Sequence, residues 1–124
     1  MRKLVILLAA LAVASCQGPS ASSAEVDLYE FGVEPSISRF EAGTIALAVK
    51  NEGEYGHTLV ITDAGGHVLS AGGVIDPGLT SRVSIDLAAG VYSFTCRIVA
   101  QDDDGVVLDH YEQGMSAEVV VREG

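Results

Sequence analysis

Residues 90–121 read GVYSFTCRIVAQDDDGVVLDHYEQGMSAEVVV. Two runs of period-two alternation frame this stretch: Val91 to Ile98, which carries Cys96, and the closing run in which Ala117, Val119 and Val121 point one way. Alternation of this kind puts one face of a strand in a core and the other in water. Between the runs lie an acidic segment and a Gly-containing turn that brings His110 and Met115 close together in sequence.

Working outward, the same period recurs with turn signals between, and no stretch after Glu25 has helical spacing. Strands are expected at Val26 to Phe31, Ile37 to Phe40 and Thr44 to Asn51, where Ile45, Leu47 and Val49 share a face. A turn at Glu52 to Gly56 leads to His57 and a strand Thr58 to Thr62. Gly65-Gly66 then precedes His67 to Leu69 as a hairpin turn. Asp76-Pro77-Gly78 is a strong turn, because Pro presets φ and Gly accepts the left-handed position. Val83, Ile85 and Leu87 alternate beyond it, and Ala89-Gly90 turns the chain into the Cys96 strand. Seven or eight short strands predict an all-β, two-sheet sandwich with Greek-key connections. A domain of this size buries about 65% of the surface its unfolded chain exposes, enough to fold without disulfides.

The N-terminus reads as an address rather than as structure. Arg2 and Lys3 lead an apolar run from Leu4 to Ala14, too short to span a bilayer and suited to a signal peptide over residues 1–15. Val13-Ala14-Ser15-Cys16 resembles the bacterial lipobox, which implies cleavage before Cys16, lipidation of that Cys, and a place in the cell envelope on the periplasmic or outer side. The alternative is an ordinary signal peptide, leaving Cys16 free to pair with Cys96. Gln17 to Ala24 is small, polar and aperiodic, a flexible tether over residues 16–24, so the folded domain is expected from Glu25. Without Arg2 and Lys3, five basic groups face seventeen acidic ones, a net charge of −12. That surface repels nucleic acid and anionic lipid, so the membrane is met only through the anchor.

The chemistry-bearing residues are His57, Cys96, His110 and Met115, in that order and all at strand ends. Imidazole, thiolate and thioether suit copper, and a trigonal His₂Cys set with a long axial Met is an electron-transfer arrangement. Each residue has a plainer reading: a buried core thiol, solvated loop histidines, a core methionine. With Cys16 lipidated, Cys96 has no partner thiol, since the chain has two Cys. A dinuclear copper centre lacks its second nearby Cys, and further coppers lack His-x-His motifs, because the histidines are His57, His67 and His110. Zinc would leave the Met idle. A calcium loop from Ala100 to Tyr111 fails at its first and last positions. His67 is expected to be an exposed turn residue. No Ser-His-Asp set, catalytic carboxylate pair or phosphate loop can be made out.

These segments resemble the cupredoxin (type 1 blue copper, plastocyanin- and azurin-like) family over nearly the whole domain from residue 25 to 124. VKNEGEYGHTLVI is similar to the strand and turn that deliver the first His, IDPGLTSRVSIDLAAGVYSFTC to the Pro-Gly turn and Cys strand, and HYEQGMSAEVVV to the terminal His-x4-Met segment. The resemblance implies one type 1 copper with His57, Cys96 and His110 equatorial and Met115 axial. It implies single-electron transfer between extracytoplasmic redox partners, without enzymatic turnover. Copper delivery, or a sandwich that has lost its metal and serves interactions, are the rival readings.

The family usually has two to four residues between Cys and the second His, whereas thirteen separate Cys96 from His110. The insertion is expected to reshape the copper rim and leave the ligand set alone, since closing the longer loop costs only ~1 kcal/mol against a metal site worth ~10 kcal/mol or more. In the family the second His commonly lies at the surface where electrons leave. Asp102, Asp103, Asp104 and Asp109 would stand near it as a docking face for a basic redox partner, a cytochrome or a respiratory complex, or else as a solvated hairpin tip.

Overall fold

The computed structural model describes residues 21–124, and all regular structure in that range is β. Eleven strands form: β1 Ser23–Tyr29, β2 Gly32–Pro35, β3 Arg39–Glu41, β4 Gly43–Asn51, β5 Val60–Asp63, β6 Val68–Ala71, β7 Thr80–Leu87, β8 Gly90–Thr95, β9 Val99–Gln101, β10 Val107–Asp109 and β11 Ser116–Arg122. One sheet has the order β2-β1-β4-β7 and the other β3-β11-β8-β5-β6, with β9 and β10 a separate hairpin. The fold is an all-β sandwich, as expected, though with more strands than the seven or eight predicted.

The inward residues are those the alternation picks out. Val26 and Leu28 of β1 and Ile45, Leu47 and Val49 of β4 face Tyr92 and Phe94 of β8 and Val119 and Val121 of β11, all buried. Complete burial of each such side chain stabilises the fold by roughly 1.5–3 kcal/mol. Val83 and Ile85 are only half-buried because β7 is an edge strand.

Three expectations change. The strand expected at Val26 to Phe31 ends at Tyr29, and the chain turns through Glu30 and Phe31 into β2, which returns antiparallel with Val26 opposite Pro35. The polar tether expected to run to Ala24 is in part sheet. Ala21 bridges to Phe40, the Ser22 carbonyl accepts the Ala46 N–H at 2.9 Å, and β1 pairs in parallel with β4 from Ser23 onward. Main-chain pairing is indifferent to how small those side chains are, so residues 21–24, upstream of the expected start at Glu25, already take part in the sheets. The signal peptide, Cys16 and the start of the tether lie outside the described residues.

The third change is the insertion between Cys96 and His110, which is a built hairpin. β9 and β10 pair antiparallel, with Leu108 opposite Ala100. At its tip the Asp102 carboxylate accepts the N–H groups of Asp104 and Val106 at 2.9 and 2.8 Å, and Gly105 takes the left-handed conformation at φ 81°.

Candidate metal centre

Cys96 follows the last residue of β8. Its N–H donates to the Met115 carbonyl at 3.2 Å, the Met115 N–H to the His110 carbonyl at 3.1 Å, and the His110 N–H to the Ile98 carbonyl at 2.9 Å. Three of the four expected donors are thus tied to one another by main chain. The turn between His110 and Met115 is fixed from outside by Asp109, whose carboxylate accepts the N–H groups of Tyr111 and Glu112.

His57 arrives from the other direction. It forms an isolated bridge with Ile75, exchanging main-chain hydrogen bonds at 3.2 and 2.7 Å. The loop before it is shaped by the fully buried Asn51, whose amide donates to the carbonyls of Tyr55 at 2.7 Å and Ile75 at 2.8 Å while its oxygen accepts the Gly53 N–H at 2.8 Å. Behind the ring, His57 Nε2 lies 3.1 Å from Glu30 Oε1. An ionised carboxylate only accepts, so His57 Nε2 is the donor in this hydrogen bond and Nδ1 is the ring nitrogen turned toward the other side chains.

The inner atoms of the three residues converge. His57 Nδ1 and His110 Nδ1 face each other at 3.2 Å, and Cys96 Sγ lies 3.8 Å from the first and 3.6 Å from the second. A point equidistant from the three donors lies about 2 Å from each, the length of a bond from imidazole nitrogen or thiolate sulfur to a late first-row metal ion. His57, Cys96 and His110 are all buried, and so is Met115, which reaches the cluster through its main-chain bonds. The Thr58 N–H points at Cys96 Sγ from 3.4 Å. This donor set, two imidazoles and a thiol in a triangle, with buried Met115 tied by main chain to two of them, is the arrangement of a type 1 copper site.

Electrostatics follows from the packing. Burial pushes the His110 imidazole below the ordinary histidine pKa, and His57 beside it adds to the effect. For Glu30, burial alone would raise the carboxyl, but the N–H groups of Tyr55 and Glu54 and the His57 ring outweigh it and hold the group below the usual glutamate value.

The environment of His110 departs from expectation. It is buried, at 2% exposure, rather than open at the surface. Phe31 packs against it edge-on at 5.3 Å, and a cavity of about 350 Å³ above it is walled by Tyr55, Ala100, Gln101, Asp102, Val106 and Leu108. The inserted hairpin is thus the wall that the usual short loop would not supply. Arg97 stacks over Tyr111 at 3.7 Å at the base of that hairpin. Of the acidic residues there, Asp103 and Asp104 are exposed at the tip, while Asp102 and Asp109 also hold turns. His67 is exposed beside Asp63, away from the cluster.

Sequence reading passed over Glu30, Asn51 and Thr58. Thr58 follows the first His directly, which is the one positional signal available. Glu30 and Asn51 are polar residues whose partners become visible only once the chain is folded.

The chain belongs to the cupredoxin-like domain family, whose model matches residues 3–108. Solved structures share the fold at low identity. One is a dithionite-reduced auracyanin from the photosynthetic bacterium Roseiflexus castenholzii, 19% identical with a TM-score of 0.65, covering 84% of this chain and 99% of that one. Another is reduced rusticyanin, 16% identical with a TM-score of 0.58 and 87% of each chain covered. A multicopper oxidase matches 83% of this chain with 42% of its own, at 16% identity and a TM-score of 0.57. No curated protein sequence matches the chain. Among the described residues, no helix is long and apolar enough to cross a membrane.

Proposed function

We propose that this protein carries single electrons on one type 1 copper, which His57, Cys96, His110 and Met115 would hold. The observation that supports this most directly is the convergence of two Nδ1 atoms and one Sγ within 3.8 Å of one another in a buried pocket. Copper, when bound, supplies a one-electron exchange between its cuprous and cupric states. The chain's part is to keep the donors still: hydrogen bonds between Cys96, Met115 and His110 and the bridge from His57 to Ile75 fix them before metal arrives. A site that does not rearrange lowers the barrier to electron transfer.

Auracyanin and rusticyanin, the structural relatives named above, are both described in reduced forms, which accords with a redox role. The oxidase likeness does not carry over its further coppers, since the three histidines of this chain include no His-x-His pair. Electrons would pass to and from extracytoplasmic partners with no substrate turned over. A basic partner, a cytochrome or part of a respiratory complex, would meet the acidic hairpin, and Cys16 would tether the domain to the envelope membrane.

The deciding experiment is a copper titration of the purified protein followed in the visible. Intense Cu(II)-thiolate absorption with reversible bleaching on reduction is the expected outcome. Tight Cu(I) binding without colour would instead indicate metal handling, and no uptake a metal-free interaction domain. Anchoring is tested separately: Cys16→Ala should leave the protein unprocessed or release it into the soluble envelope fraction, and unchanged membrane association would overturn the anchor.

A further inference from the structure

Among the described residues, Glu30 supplies the carboxylate that hydrogen-bonds to a ring of the donor cluster. It sits in the turn between β1 and β2, and its Oε1 receives three N–H groups: Tyr55 at 2.7 Å, Glu54 at 2.9 Å and His57 Nε2 at 3.1 Å. A Cβ on Gly53 would overlap the Glu30 carboxylate, so the glycine leaves the room that the approach needs. Among the described residues no Lys or Arg pairs with Glu30. Its negative charge is therefore directed at the back of a fully buried imidazole whose other nitrogen faces Cys96 and His110.

Resting on the copper reading above, we propose that Glu30 is a positioning residue that sets the reduction potential of the site through His57. The hydrogen bond fixes the tautomer and orientation of His57 and makes its Nδ1 a stronger donor. A fixed negative charge 3.1 Å behind a fully buried imidazole, even one partly open to solvent itself, favours the more positive of two metal states, so it holds the cupric form and depresses the potential.

Glu30→Gln separates charge from shape, because the amide oxygen still accepts the same donors. In the full-length protein, E30Q should keep the wild-type absorption bands and a cooperative thermal transition. The ratio of Cu(I) to Cu(II) affinity should rise about tenfold, a potential increase of about 59 mV for a one-electron couple. Gly53→Ala provides a second route, displacing the carboxylate while retaining it, and should move the potential in the same direction by less. Glu30→Ala should raise the potential and also weaken copper binding, since orientation is lost with charge. Coloured E30Q and Gly53→Ala proteins at the wild-type potential would overturn this inference alone. A wild-type chain that never forms a coloured copper site would overturn the functional reading and this inference with it.

Discussion

Cys96, His110 and Met115 are bound to one another through main-chain hydrogen bonds inside one short stretch, whereas His57, besides its main-chain bridge to Ile75, depends on side chains: Glu30 behind its ring and Asn51 shaping the loop before it. The two halves meet within 3.8 Å, yet they are stabilised by different physics. The main-chain half follows from strand register: wherever β8 and β11 pair, with Ser116 opposite Thr95, Cys96 and Met115 must be neighbours. The side-chain half depends on particular atoms, the Asn51 amide and the Glu30 acceptor oxygen. The first is robust to substitution around it. The second can fail at a single residue.

The largest expected effect removes a donor outright. Cys96→Ser should abolish the coloured site, while Met115→Leu should retain copper and shift the potential, because the thiolate is indispensable and the axial thioether only tunes. The visible spectrum and a redox titration measure both, and a Cys96→Ser protein that stays blue would refute the assignment. The next prediction compares the two scaffolds in the metal-free protein. Asn51→Ala removes three hydrogen bonds from a fully buried position and should cost about 2–3 kcal/mol. Asp109→Ala removes only a turn cap and should cost about 1 kcal/mol. Urea denaturation gives both values, and equal losses would erase the proposed distinction.

A pH series sharpens the same contrast. The folded protein holds the His110 pKa below its ordinary value, so the unfolded chain takes up the proton first as pH falls below about 6.5. Metal-free stability should therefore be full above that pH and decline below it. Glu30 is depressed as well, so its contribution is full above the ordinary carboxylate range and is lost as pH falls through that range toward the folded value, which leaves the window from about 6.5 to 5 to the histidine. A urea midpoint that rose between pH 7.5 and 5.5 would contradict this. The smallest effect belongs to the hairpin. Asp102, Asp103 and Asp104 replaced by Asn should leave the copper spectrum intact but slow association with a basic redox partner and flatten its salt dependence. Unchanged kinetics would mark the tip as merely solvated, and lost copper would make the hairpin part of the site.

What could be read in the sequence divides along the same line. The strands β4, β8 and β11 declare themselves because one face of each is buried, and burial leaves alternation behind. His57, Cys96, His110 and Met115 could be named because their donor chemistry is rare and their order is informative. The turn at Glu30 could not, because VDLYEF continues a strand-like pattern through the point where the chain reverses. Nor could β9 and β10, whose residues are exposed or half-buried, so that no core imposes a period on them. The burial of His110 was hidden for the same reason, since the wall above it is made by that unpatterned hairpin.

The position of β11 within its sheet has a consequence for the order of assembly. It lies between β3 and β8, pairing in parallel with one and antiparallel with the other, although it is the last strand of the chain. Until residues 116–122 are in place, two strand edges stand open and β3 has no neighbour in its sheet. Most pairings here are long-range, a topology in which closure is slow and comes late. Cys96 gains its main-chain link to Met115 only in that final step. A chain stalled or cut before β11 therefore lacks more than stability. Its Cys96 is not held against Met115 by strand pairing, so the donors lack part of the frame that would fix them before metal arrives.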